Sequence, residues 1–180
     1  MKRDTLYCTE RKQAADENIL NSTRATDFIT PKSEISTLFR NAVLYLAARV
    51  PFGRALVNSG RLSVPCVDDG SSLNGPDHPL MPARTRPGAP LADGWLLNRL
   101  GGGFQMLAFD ANAPEIQMEH GVTVLRVALS DTDNPALRER YLGIAAAVYL
   151  LRPDQHVAAR WDHFDAKAVT EALAHALALM

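Results

Sequence analysis

The chain of 180 residues has only two cysteines, Cys8 and Cys66, and they lie far apart in the sequence. This scarcity excludes a disulfide scaffold and fits a reducing cytoplasm. The net charge is −1 at pH 7, so charge favours neither nucleic acid nor an anionic membrane as a partner. No apolar run approaches the roughly 18 residues of a transmembrane helix, and the first twenty residues lack the apolar core of a signal peptide. We therefore expect a cytoplasmic protein with no nucleic-acid or membrane partner.

Motifs that hold cofactors and metals are also missing. No G-x-G-x-x-G follows a predicted strand and opens a helix, as a dinucleotide pyrophosphate requires. Gly101–Gly103 precedes a predicted strand, so it indicates a turn rather than a phosphate cradle. Neither a zinc-ligand spacing nor a G-x-S-x-G elbow is present. The histidines without such spacing are His78, His120, His156, His163 and His175. We predict no catalytic, cofactor-binding or metal-ligating residue in this chain.

Three regions of different composition make up what is present. Hydrophobic residues account for 47% of the chain and charged residues for 22%, a balance typical of globular proteins. Residues 1–60 show helical patterning. Residues 61–93 form a proline-rich connection, which we expect to lie extended over the surface of the globular part. Residues 94–180 have the pattern of a small α/β domain.

The N-terminal region contains one strongly amphipathic segment. Thr30-Pro31 is a plausible helix start, and Pro51 interrupts the helix that follows. Asn58–Gly60 resembles a C-terminal cap. Apolar residues recur at helical spacing, namely Ile35, Leu38, Phe39, Ala42, Val43, Leu46, Ala47 and Val50. Because such a stripe must be buried, we predict a homo-oligomer, a dimer or larger, that forms through the helix over Ile35–Val50.

The C-terminal region reads as strand, strand, helix, hairpin and helix. Pro153-Asp154 suits the centre of a type I turn, and Asp165 is a plausible cap of the last helix. The predicted strands are Phe104–Phe109, Val122–Leu129, Ala147–Leu151 and His156–Trp161, with a helix from Asn134 to Leu142 between the second and third. This order is similar to the end of the thioredoxin fold, in which a parallel pair, a crossover helix, a hairpin and a final helix follow one another.

Several short motifs, in this order and spacing, carry a family resemblance. They are Y-x-x-E-R at Tyr7–Arg11, R-N-A-V-L at Arg40–Leu44, V-N-S-G-R-L-S at Val57–Ser63, R-P-G-A-P at Arg86–Pro90, L-G-x-G-F at Leu100–Phe104 and R-P-D at Arg152–Asp154. The chain thereby resembles the C-terminal region of FAD-dependent aromatic hydroxylases of the phenol hydroxylase and 3-(3-hydroxyphenyl)propionate hydroxylase type. The resemblance implies a thioredoxin-like domain of 94–180, and FAD and NAD(P)H for a full-length parent.

Three hypotheses about function follow from the resemblance. The first is a non-catalytic thioredoxin-like module that packs against a flavin-binding domain or another subunit. The alternative is a subunit of a split flavin monooxygenase that completes a flavin site supplied by another chain. An independent thiol oxidoreductase is disfavoured, because Asp110–Pro114 has no cysteine where the redox motif would lie, and no proline directly precedes Ala147.

The predicted hairpin turn carries three charged residues with two interpretations. Arg152, Asp154 and Arg160 either belong to a solvated turn, with Asp154 satisfying local backbone amides, or contact a neighbouring domain or subunit. We favour the solvated turn on sequence alone.

Overall fold

The structure is a computed structural model that describes residues 2–57, 66–91, 98–109, 123–127, 135–142 and 146–177. It divides into two compact units. Arg11–Cys66 forms one, here called the helical unit, and Met1–Glu10 with Val67–Met180 forms the other, here called the sheet unit. Within the described ranges, no helix combines the length and the apolar character needed to cross a membrane.

The N-terminal helices are α1 (Lys2–Ile29), α2 (Glu34–Ala47) and α3 (Pro51–Val57). The predicted helix start at Thr30-Pro31 is wrong. The Thr30 hydroxyl instead donates to the carbonyl of Thr26, and Ser33 caps α2 by accepting from the amide of Ser36 at 3.1 Å. Proline at the first position of α3 agrees with the predicted interruption at Pro51. The predicted cap at Asn58–Gly60 lies outside the described residues.

Four strands form one mixed sheet in the sheet unit. They are β1 (Gln105–Phe109), β2 (Thr123–Val127), β3 (Ala147–Leu151) and β4 (Val157–Trp161), arranged in the order β2-β1-β3-β4. The first pair is parallel, and β3 runs antiparallel to both β1 and β4. The predicted strands, the parallel pair and the hairpin are therefore confirmed, and the sheet unit has an α/β fold.

Helices cover the two faces of this sheet. The alternating side chains of β1 separate the two layers, because successive residues of a strand point to opposite faces. On one face, Leu137 and Tyr141 of α4 (Pro135–Tyr141) pack with Leu107 and Phe109. On the other face, α5 (Ala166–Ala176) covers the strands with Val169, Ala172 and Leu173, which pack with Met106 and Ala108. The Asp165 carboxylate caps α5 as predicted, accepting from the amide of Lys167 at 2.8 Å.

Within the proline-rich connection, residues 75–90 lie along the outer edge of β4. The amide of Gly75 donates to Ala158, and the amide of Gly88 donates to Val157, both at 2.8 Å. Pro90 forms an isolated bridge with His156. These contacts provide hydrogen-bond partners for backbone groups of β4 that would otherwise be unpaired at the edge of the sheet. Met81 of the connection is buried, whereas its neighbour Leu80 is 69% exposed.

Candidate functional site

A buried ionic network lies where the β3–β4 hairpin turns. Arg152 follows β3 directly, and its guanidinium donates to both carboxylate oxygens of Glu10, at 2.9 and 2.7 Å. The same guanidinium donates to Asp154 at 2.7 Å. Ser71, from the proline-rich connection, donates its hydroxyl to the Glu10 carboxylate. Arg152 and Glu10 are only 8% and 7% exposed. The network therefore joins three segments that are distant in sequence.

His156 and Asp68 extend the network on its other side. The backbone amide of His156 donates to the Asp154 carboxylate at 3.3 Å, and its ring Nδ1 lies 3.1 Å from the Asp154 carbonyl. The ring Nε2 lies 3.9 Å from the carboxylate of Asp68. Gln155 lies between Asp154 and His156, and its φ of 66° lets the chain reverse direction there. Three carboxylates thus share one guanidinium and one imidazole.

The environment shifts the pKa of each carboxyl group in this network. Burial raises the pKa of Glu10, but hydrogen bonds from Arg152 and Ser71 and the Arg152 charge outweigh it, so the pKa lies below its usual value. Burial likewise acts to raise the pKa of Asp154, but hydrogen bonding from His156 and the Arg152 charge lower that pKa overall. Asp68 differs: burial, reinforced by the negative charge of Glu10, raises its pKa. Asp68 is therefore the carboxyl group of the cluster whose charged form is disfavoured by its surroundings.

A second buried arginine, Arg160 on β4, fixes the proline-rich connection farther along. Its Nη1 donates to the carbonyl of Pro82 at 2.6 Å and to the hydroxyl of Thr85 at 3.1 Å, and its Nε donates to Asp77. Thr85 also shares a hydrogen bond with the hydroxyl of Tyr149. Burial is the main reason that the pKa of Tyr149 rises to about 12.

These contacts correct the interpretation of the hairpin as a solvated turn. Asp154 does satisfy a local amide, as that interpretation expects, but Arg152 and Arg160 are buried and paired with acidic side chains. The guanidinium of Arg152 directs its N–H donors at two carboxylates, and these carboxylates accept the hydrogen bonds in their charged form. The arrangement suits the fixing of distant segments better than proton transfer or nucleophilic attack.

Neither Cys8 nor Cys66 forms a disulfide bond. Cys8 is exposed on α1, while Cys66 is partly exposed and donates to the carboxylate of Glu17 at 2.9 Å. Cys8 therefore lies in the sheet unit and Cys66 in the helical unit. The segment Asp110–Pro114, where a redox motif would follow β1, lies outside the described residues.

The histidines and glycines singled out in the sequence do not converge on one point. His78 and His163 lie on either side of Asp162, at 3.5 and 2.5 Å from its carboxylate, whereas His175 is in α5 and His120 is not described. Across the ranges that the structure covers, no three histidine, cysteine or acidic side chains form a group that could hold a metal. Gly101–Gly103 is an exposed stretch before β1.

Sequence reasoning missed the pairing of Glu10 with Arg152. The two residues are separated by most of the chain, and neither periodicity nor spacing predicts which acid meets which base. A signal was nevertheless present, since Glu10 belongs to the Y-x-x-E-R motif and Arg152 to the R-P-D motif. The ion pair between Arg86 of R-P-G-A-P and Asp69, at 2.6 Å, was also missed, because spacing does not predict which acid pairs with which base.

Comparison with known proteins finds structural relatives only. No protein-family profile matches the sequence, and neither does any curated protein. Among solved structures, the chain is similar to the rebeccamycin biosynthetic enzyme RebC with reduced flavin, with a TM-score of 0.53 and 19% identity over 93% of this chain and 35% of that chain. A variant, RebC-10x soaked with chromopyrrolic acid and with bound 7-carboxy-K252c, gives a TM-score of 0.50 and 21% identity over 92% and 34%. The chain thus spans about a third of the length of these structures, and at such identities the likeness shows a shared fold.

Proposed function

We propose that this chain is a non-catalytic, thioredoxin-like module of an FAD-dependent aromatic monooxygenase of the phenol hydroxylase type. Its role there is structural: it packs against the flavin-binding domain of a parent or partner chain, or it forms a subunit contact. FAD and NAD(P)H belong to the full-length parent, and the chemistry of hydroxylation resides in the flavin-binding part of that parent.

The observation that carries this proposal is the topology of the sheet. The order β2-β1-β3-β4, with one parallel pair and an antiparallel hairpin, is typical of the thioredoxin fold. Helices on both faces of the sheet also agree with that fold. A redox thioredoxin needs a reactive thiolate, usually one of a C-x-x-C pair. The only two cysteines of this chain belong to no such motif.

The solved structures support the flavoenzyme part of the proposal. The RebC structure contains reduced flavin, and this chain covers 35% of the RebC chain. Because this chain has no G-x-G-x-x-G motif, we assign the flavin of such a parent to the part that this chain does not cover. The buried network supports a structural role, because Arg152 and Glu10 use their polar groups to join segments of the fold.

A flavin-binding measurement tests the proposal directly. The purified chain is titrated with FAD, and binding is followed by equilibrium dialysis together with flavin absorbance. We expect no saturable binding. One bound flavin per chain would contradict a purely structural module and would favour the alternative, a subunit that contributes to a flavin site.

A thiol assay tests the redox-inactive part of the proposal. The chain is assayed for reduction of insulin by dithiothreitol, beside the Cys66→Ser variant as a matched control. We expect both proteins to match the uncatalysed rate. Turnover by the unmodified chain that disappears in Cys66→Ser would instead identify a thiol oxidoreductase.

The alternative function is a subunit of a split flavin monooxygenase, and the coding sequence upstream distinguishes it from the leading proposal. An in-frame flavin-binding domain there would support a module of one long chain. A separate neighbouring gene for such a domain would favour the split enzyme. In that case, co-expression of the two chains should yield a yellow complex that neither chain gives alone.

A further inference from the structure

The helix α2 presents an apolar stripe to solvent. Ile35 is 82% exposed, Leu38 is 72%, Phe39 is 64% and Tyr45 is 61%, and Leu46 lies on the same stripe at 36%. None of the residues of α2 is buried. Large apolar side chains grouped in this way are rare on monomeric proteins and typically mark an interface.

The stripe is nearly symmetric about Ala42, a small residue on the same face of the helix. Leu38 and Leu46 lie four residues before and after it, and Phe39 and Tyr45 lie three residues before and after it. A helix rises by about 1.5 Å per residue. In an antiparallel pair that crosses at Ala42, Leu38 of one copy would therefore lie at the same level as Leu46 of the other. The small side chain at the crossing point allows the two helices to approach closely.

Charges at the ends of the stripe favour the same antiparallel arrangement. Glu34 occupies the first turn of α2, and Arg49 follows its last turn. Arg49 is held near the stripe, since its guanidinium lies over the ring of Tyr45 at 3.4 Å. An antiparallel pair brings Glu34 of each copy near Arg49 of the other, and it also opposes the two helix dipoles.

We infer that α2 pairs with α2 of a second copy of this chain, antiparallel and about a two-fold axis at Ala42. The same patch then serves both subunits, as an isologous interface requires. This inference stands on the helical unit alone and does not depend on the flavoenzyme ancestry. It names a second copy as the occupant of the stripe, and a flavin-binding domain is the competing occupant.

Disulfide cross-linking tests the position of the axis. In a Cys8→Ser/Cys66→Ser background, Ala42→Cys places a thiol at the crossing point, where two copies can form a disulfide. Leu44→Cys is the matched control, because it is also exposed on α2 but lies about 200° around the helix from Ala42. We expect mild oxidation to give a covalent dimer of Ala42→Cys and little of Leu44→Cys. Equal cross-linking of the two variants would overturn the arrangement.

Charge exchange tests the antiparallel direction. Sedimentation equilibrium of the unmodified chain should give twice the chain mass, and Phe39→Glu should raise the dissociation constant at least about thirty-fold, as expected at an interface hot spot. Glu34→Arg and Arg49→Glu should each weaken the dimer, and the double variant should restore it. A monomer at every concentration overturns the inference. So does a monomer that binds one copy of a flavin-binding polypeptide through the same stripe.

Discussion

The two units of this molecule use their apolar residues in opposite ways. Within the described ranges, the buried core hydrophobics all lie in the sheet unit, from Met81 to Leu173. The large apolar side chains that remain exposed lie between Ile19 and Val57, with Leu80 as the exception. The sheet unit therefore encloses two cores of its own, whereas no buried core covers the amphipathic helix α2 in the described part of the helical unit. Regular secondary structure alone therefore does not ensure that a unit buries its own apolar side chains.

Polar contacts follow the same division. The sheet unit buries two arginines against acidic partners, and these pairs secure the proline-rich connection and the start of α1. In the helical unit, Arg40 and Arg54 donate to backbone carbonyls of Ile29 and Ala47, at the ends of helices. Such exposed contacts help a helix to end but add little to stability.

The largest expected effect comes from breaking the buried network. Arg152→Ala removes the guanidinium from the buried carboxylate of Glu10 and the partly buried carboxylate of Asp154, so we expect a loss of about 3–5 kcal/mol in the free energy of unfolding. Arg84→Ala is the control: it removes an exposed ion pair with Glu139, worth about 0–1 kcal/mol. Urea unfolding followed by tryptophan fluorescence, to which Trp161 on β4 contributes, measures both variants. Similar losses in the two would contradict a special role for the buried network.

The contrast between the units can be tested with one side chain in each. Leu107 is 0% exposed on β1, and Leu38 is 72% exposed on α2. Leu107→Ala should cost about 2–5 kcal/mol, because it leaves a cavity in a packed core. Leu38→Ala should change the free energy of unfolding by less than about 0.5 kcal/mol in dilute protein. A large effect of Leu38→Ala under those conditions would mean that α2 packs within its own chain.

The sequence predicts the sheet unit better than the helical unit, and the reason is physical. Strands such as Ala147–Leu151 and the cap at Asp165 are local features that composition and spacing reveal. The start of α2 was predicted at Thr30-Pro31 because both residues suit a helix N-terminus, yet Ser33 has the cap. Neighbouring hydroxyl residues compete for this position by small energies, so the boundary is weakly encoded.

The buried network could not be predicted as a set of contacts. Glu10 and Arg152 meet only because β3, α1 and the proline-rich connection converge in the folded chain. The charged character of Arg152, Asp154 and Arg160 instead favoured a solvated turn, since arginine and aspartate are seldom fully buried unless they are paired. The motifs did identify the residues, but only the fold identifies the partners.

Gly88 tests how tightly the proline-rich connection is held in the sheet unit. Its φ is +85°, and an added Cβ would lie 2.5 Å from the carbonyl oxygen of Asp68. We expect Gly88→Ala to cost about 2–4 kcal/mol, from the left-handed backbone and the backbone clash together. Gly70→Ala is the matched control, because Gly70 has a φ of +76° but open space around it. Thermal unfolding should place Gly70→Ala much closer to the unmodified protein.

The smallest expected effect is the contribution of Asp68 to the pH dependence of the free energy of unfolding. Its pKa is raised in the folded state, so the folded chain is favoured below the ordinary carboxyl pKa and loses that advantage as pH rises through the raised value. Glu10 has the opposite sign: its lowered pKa adds stability above the ordinary value, and this is lost as pH falls. Asp68→Asn should therefore be slightly more stable than the unmodified chain at neutral pH, and the difference should vanish in acid. Urea unfolding from acid to neutral pH measures the difference in stability between the two proteins. A variant that is less stable than the unmodified chain at neutral pH would contradict this prediction and would mean that the Asp68 charge stabilises the fold beside His156.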